Sequence, residues 1–182
     1  MLRRKVLCSL GGLVLGALVT YPLSAQMAGD AKKPASPPEK ASVELNGKTV
    51  TIDYSAPSVR GRKIKGGLVP YGKVWRTGAN AATTLKTPVD LKIGGLTVPA
   101  GTYTIYSLPT ENDWTLIINK QTGQWGTQYD EKQDLGRVPL QTSEVNPTVE
   151  TFKIHFEKTS GAQTELHLTW ENSDGSVPVV AQ

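Results

Sequence analysis

The feature that most constrains this chain is alternation of period two. Val50, Ile52 and Tyr54 alternate with Thr49, Thr51 and Asp53. Val89, Leu91 and Ile93 alternate with Asp90 and Lys92. Phe152, Ile154 and Phe156 alternate with Lys153, His155 and Glu157, and Leu166, Leu168 and Trp170 with His167 and Thr169. Every second side chain of a strand shares a face, so each run predicts a half-buried β-strand. Thr102 to Leu108 and Trp114 to Asn119 add two β-rich runs. Beyond the N-terminal leader, no stretch carries a helical period, and frequent Gly and Pro break up any long helix. Turn signals fall between the runs: Asn46-Gly47 between Val43-Glu44-Leu45 and Lys48-Thr49-Val50, Gly94-Gly95, and Pro109-Thr110-Glu111-Asn112. About eight short strands so spaced predict an all-β domain, a single antiparallel β-sandwich over residues 42–172. Its core is expected to draw on Val50, Ile52, Ile93, Ile105, Ile117, Phe152, Ile154, Phe156, Leu166 and Leu168.

The N-terminus reads as a secretory leader. Arg3, Arg4 and Lys5 form a positive start, Val6 to Leu23 is an uncharged apolar run, and Leu23-Ser24-Ala25 offers small residues for cleavage near Ala25. A retained anchor is the other reading, because the apolar run approaches the length of a spanning helix. Residues 26–41, rich in Pro, Ala, Ser and Lys, predict a flexible tether, and 173–182 a C-terminal tail. The expected location is periplasmic or secreted, with the membrane met only through the leader. The one cysteine, Cys8, leaves with the leader, so the exported domain has no disulfide and no thiolate chemistry. Lys and Arg number 20 against 16 acids in the whole chain, but 17 against 16 once residues 1–25 are removed. That near-neutral balance argues against nucleic acid as a partner.

What remains basic is concentrated. Between Asp53 and Asp90 there is no acid, yet Arg60, Arg62, Lys63, Lys65, Lys73, Arg76 and Lys86 lie there with Tyr54, Tyr71 and Trp75. The stretch from Ser55 to Asn80 reads as one long, irregular, glycine-rich loop folded back on the domain. Arginine forks suit carboxylate, phosphate or sulfate, and the aromatic rings supply stacking faces. Tyr54, Arg62, Tyr71, Trp75, Arg76 and Asn80 are therefore the candidate ligand-binding residues, for an anionic or carbohydrate small ligand. The alternative is a solvated loop whose arginines pair with carboxylates elsewhere.

Other chemistry is thinner. A hairpin centred on Gly161 would set His155 opposite His167 and Glu157 opposite Glu165 on its outer face. That is a weak candidate metal pair, against two histidines simply facing solvent. Ser55 and Ser58 have no His or Asp nearby in sequence, and no nucleophile elbow is present. Asp130, Glu131 and Asp134 read as a solvated charged turn. Trp114 and Trp170 are expected in the core, whereas Trp75 and Trp125 are set among glycines and polar residues. No cofactor motif is present.

Taken together, one pattern is specific. It runs from Asp53-Tyr54-Ser55-Ala56-Pro57-Ser58-Val59-Arg60-Gly61-Arg62 through Gly67-Leu68-Val69-Pro70-Tyr71-Gly72 to Trp75-Arg76-Thr77-Gly78-Ala79-Asn80. Pro99-Ala100-Gly101-Thr102-Tyr103, Trp114, Asn119-Lys120 and Gln124-Trp125-Gly126 follow. This resembles a bacterial family of exported proteins, domain of unknown function 2911, over roughly residues 42 to 171. The resemblance implies export, one β-rich domain and a Tyr54–Asn80 segment belonging to the family pattern. It implies no established activity. Ala81 stands where relatives often carry Glu, and the two histidines are outside the pattern. The expected function is a non-enzymatic ligand-binding or structural module using the loop 54–80, with an envelope-polymer hydrolase at the same loop as the alternative.

Overall fold

The computed structural model describes residues 34–182. The leader, its cleavage point and the first half of the expected tether lie outside them. No helix among the described residues is long and apolar enough to cross a membrane.

The fold is all-β and antiparallel. Among the described residues nine strands follow in chain order: β1 Pro38–Leu45, β2 Lys48–Ser55, β3 Thr83–Thr87, β4 Leu91–Ile93, β5 Leu96–Val98, β6 Gly101–Pro109, β7 Trp114–Asn119, β8 Asp134–Ser160 and β9 Gln163–Ala181. They form one sheet in the order β1-β2-β3-β6-β7-β8-β9-β4-β5. Among the described residues, helix is limited to one 3₁₀ turn, Glu131–Gln133.

The turn chemistry fixes the registers. Asn46 and Gly47 both adopt positive φ, +47° and +73°, as a two-residue hairpin turn between right-twisted strands requires. The turn places Val43 opposite Val50 and Ala41 opposite Ile52. In the β8–β9 hairpin, Ile154 faces Leu168, His155 faces His167, Phe156 faces Leu166 and Glu157 faces Glu165, the register the sequence predicts.

Two strands are far longer than the alternation implies. β8 has 27 residues and serves two partners. Asp134 to Leu140 pair with β7, and Gln141 to Ser160 pair with β9 across several register shifts. β9 has 19 residues and reaches Ala181. The predicted tail at 173–182 is therefore strand: Val177 and Val179 are buried, and Val179 pairs with Ile93. Asp174 and Gly175 fall within that predicted tail. In the fold Gly175 is a point of close approach, where a Cβ would lie 2.9 Å from both Leu140 Cδ1 and Trp114 Cε3.

The tether also ends earlier than expected. β1 begins at Pro38, and Pro37 O accepts a hydrogen bond from Ala56 N at 2.9 Å. Backbone pairing ties this stretch down, and pairing leaves no trace in composition.

The core joins residues of all nine strands, Leu45, Ile52, Leu85, Leu91, Val98, Ile105, Leu116, Phe152 and Leu168 among them. Of the ten predicted core residues, nine are buried; Phe156 is only half-buried and packs at the margin. β6 and β7 are covered on their other face as well, where Tyr106 and Ile117 are fully buried. The segment after β7 supplies that cover. It is held by Asn119, whose Nδ2 donates to Asp130 O at 2.9 Å and Asp134 Oδ1 at 2.8 Å. Asp134 also accepts from Tyr129 Oη at 2.7 Å and from Arg137. Asp134 is thus built into the structure and is not part of a solvated turn, because it satisfies a fully buried amide.

Candidate functional site

Between β2 and β3 the chain runs through turns and isolated bridges. Its centre is pinned by backbone. Trp75 and Ser107 exchange both N–H···O bonds at 2.7 and 2.8 Å, and Ala79 N donates to Ser55 O at 3.0 Å. Buried hydroxyls complete the anchoring: Thr77 Oγ1 donates to Ser107 Oγ at 3.0 Å, and Thr83 Oγ1 to Thr77 O at 2.8 Å. Residues 75–80 are therefore held in place by backbone and buried hydroxyl hydrogen bonds.

These residues wall a cavity of about 240 Å³. Arg62, Trp75, Arg76 and Asn80 line it, together with Leu68 and Trp170. Four of the six predicted ligand residues thus come together. The other two lie elsewhere. Tyr54 accepts a hydrogen bond from Ile154 N at 3.2 Å and packs edge-on against Phe152. Tyr71 covers Gly66, its ring carbon 2.7 Å from where a Cβ would stand.

The two arginines differ. Arg62 spends Nε on Val59 O at 3.0 Å and Nη2 on Ser58 O at 2.6 Å. These bonds close its own turn and aim the guanidinium. Arg76 crosses Gly126, where a Cβ would sit 2.3 Å from Arg76 Cδ and 2.8 Å from Asn80 O. A side chain at position 126 would meet the arginine stem, so glycine there lets Arg76 pass. Ala82 N donates to Gln124 O at 3.3 Å, and Ala81 bridges to Trp125, which locks the two segments together. Arg76 Nε is buried and finds no hydrogen-bond acceptor among protein atoms. Among the described residues no carboxylate forms an ion pair with Arg62 or Arg76.

The apolar wall is aromatic. Trp75 stacks on Trp170 with centroids 5.5 Å apart and planes 18° apart, and meets Phe152 edge-on at 5.0 Å. Trp170 is buried as predicted, and Trp75 is half-buried. Trp125 is 54 % exposed and stands outside the cavity.

A larger cavity, about 570 Å³, lies between Glu39–Ser42 of β1 and Thr151–Phe156 of β8. Tyr54 and His155 line it. The serine candidates find no base: Ser58 Oγ shares a hydrogen bond with Thr151 Oγ1 at 3.0 Å. Among the described residues neither Ser55 nor Ser58 hydrogen-bonds a histidine or a carboxylate side chain. The histidines face one another as predicted, with stacked rings 5.0 Å apart. Burial lowers the pKa of His155 below the ordinary histidine range, outweighing the hydrogen bond to Glu157.

A family model described as "Protein of unknown function (DUF2911)" matches residues 36–179. The match extends past 42–171 at both ends, to the stretch bonded to Ala56 and to the last buried valine of β9. Comparison with curated proteins and with solved structures finds no match.

Proposed function

Within the family of unknown function DUF2911, to which this chain belongs, we propose that the protein is an exported, non-enzymatic binding domain whose cavity takes a small anionic ligand. The observation that carries the reading is Arg76: a buried guanidinium N–H without a protein acceptor, on the wall of a cavity that a second arginine shares. Leaving such a donor unpaired costs on the order of 1–3 kcal/mol. An anion seated there supplies the acceptor and balances the charge. Trp75, Trp170 and Leu68 offer the ligand an apolar flank, and Asn80 a polar one. A carboxylated single-ring molecule such as a sugar acid fits that mixture and the volume. The reading takes the sheet as folded over into a sandwich, with the glycine-rich loop 55–80 closing one end. Its support is the packing of β1 beside β8 and the single apolar cluster that all strands share. The alternative of an envelope-polymer hydrolase draws no support from Ser58, whose hydroxyl meets only Thr151.

The test is a thermal-shift series on the purified chain with glucuronate, glucose, inorganic phosphate and sulfate. The proposal expects glucuronate to raise the midpoint, phosphate and sulfate to act weakly, and glucose not at all. A response to glucose equal to that to glucuronate sinks the anionic reading. So does the absence of any response.

A further inference from the structure

We infer that the outer face of the β8–β9 hairpin is a zinc-class divalent metal site, made by His155, Glu157, His167 and Glu165 and oriented by Asp174. One donor atom each from His155, Glu157 and His167 lies within 4.8 Å of the others. His155 Nε2 stands 3.0 Å from Glu157 Oε1. His167 Nε2 stands 3.5 Å from Glu165 Oε2 and 3.9 Å from Glu157 Oε2. A tetrahedral ion with ligands at about 2.1 Å spaces them about 3.4 Å apart. The observed separations bracket that value, so side-chain rotation alone brings the donors onto one ion.

Antiparallel register is the reason they meet. His155 pairs with His167 and Glu157 with Glu165, so all four side chains leave the same face of two adjacent strands.

The second observation is the state of His167. It is 9 % exposed, and its Nε2 is buried without a hydrogen-bond partner. Its other nitrogen, Nδ1, lies 2.8 Å from Asp174 Oδ2, and Asp174 Oδ1 accepts from Thr169 Oγ1 at 2.6 Å. A carboxylate on Nδ1 fixes the tautomer with its proton there and leaves the Nε2 lone pair directed at the two glutamates. That carboxylate–histidine arrangement is how proteins orient metal-binding imidazoles. A hairpin with two solvent-facing histidines has no need of a buried aspartate and threonine behind one of them. Lys158 Nζ holds Glu165 at 2.8 Å, and Lys153 lies beside His155. Lys158 competes for Glu165, which leaves His155, Glu157 and His167 as the principal ligands. Two imidazoles with carboxylate select zinc and its transition-metal neighbours over magnesium.

The site is separate from the arginine cavity, so each can fail alone. The chain has two histidines, and both are here; imidazole binding therefore reports this site. The experiment is isothermal titration of the full, untagged chain with zinc chloride and, separately, magnesium chloride. One zinc per chain is expected, with no detectable magnesium heat. His155→Gln and Glu157→Gln, whose side chains are half-exposed and exposed, should each weaken zinc at least tenfold while retaining the wild-type circular dichroism spectrum. Asp174→Asn should weaken it roughly 10–100-fold, and Arg76→Ala should leave it unchanged. No zinc binding by the wild type overturns the inference. Wild-type affinity in both His155→Gln and Glu157→Gln also overturns it.

Discussion

At the scale of single residues, the chain shows how one glycine can serve a charged side chain. Gly126 lies against the Arg76 stem and the Asn80 carbonyl. A methyl group there must push one of them, and over-packing of this kind costs about 1–3 kcal/mol. Gly126→Ala is therefore expected to lower the denaturation midpoint and to weaken anion binding together, read by urea titration and calorimetry on the same protein. Tyr129 gives a second prediction. Desolvation, reinforced by the hydrogen bond to Asp134, pushes its hydroxyl up to about 12. A folded pKa above the unfolded value of 10.0 means that Tyr129's contribution to stability is complete below pH 10. It is lost as pH rises from about 10 to about 12. Ring chemical shifts of Tyr129 should follow that late titration. In Asp134→Ala they should move at lower pH, without returning fully to 10.0, because burial remains the larger cause.

Elements were legible where turn residues and alternation agreed. Asn46-Gly47 and Gly161 each announce a hairpin; both hairpins are present, and the strands around Gly161 have the predicted register. The second half of β9 was not legible. Asp174-Gly175 and Pro178 are turn-forming residues, yet here they lie in a strand. Gly175 is small because Trp114 and Leu140 lie against it, and Pro178 offers its carbonyl to Gly94 N at 2.9 Å. Contacts with residues 35 to 84 positions away decide this, and no local pattern encodes them. Gly175→Ala should consequently cost about 1–3 kcal/mol in a urea melt; an unpaired tail would tolerate it without change. The same limit hid the role of Asp134, whose partner Asn119 ends the preceding strand.

At the scale of the whole molecule, the sequence pointed to one basic, aromatic loop, and its residues are divided by the fold. Arg62, Trp75, Arg76 and Asn80 converge on one cavity, while Tyr54 and Tyr71 turn to packing duties. Trp170 joins the cavity wall from β9, more than ninety residues away, which composition of the loop alone could not reveal. The histidine pair was legible as a register, but its buried support was not, because Asp174, which joins His167 to Thr169, lay in the supposed tail. The central claim rests on Arg76 having its acceptor supplied by a ligand. Isothermal titration of glucuronate into wild-type and Arg76→Ala chains tests it most directly. A charge-assisted hydrogen bond contributes about 1.5–3 kcal/mol, so the account predicts binding by the wild type that weakens at least tenfold in the variant. Equal affinity for the two proteins, with both folded by circular dichroism, would contradict it.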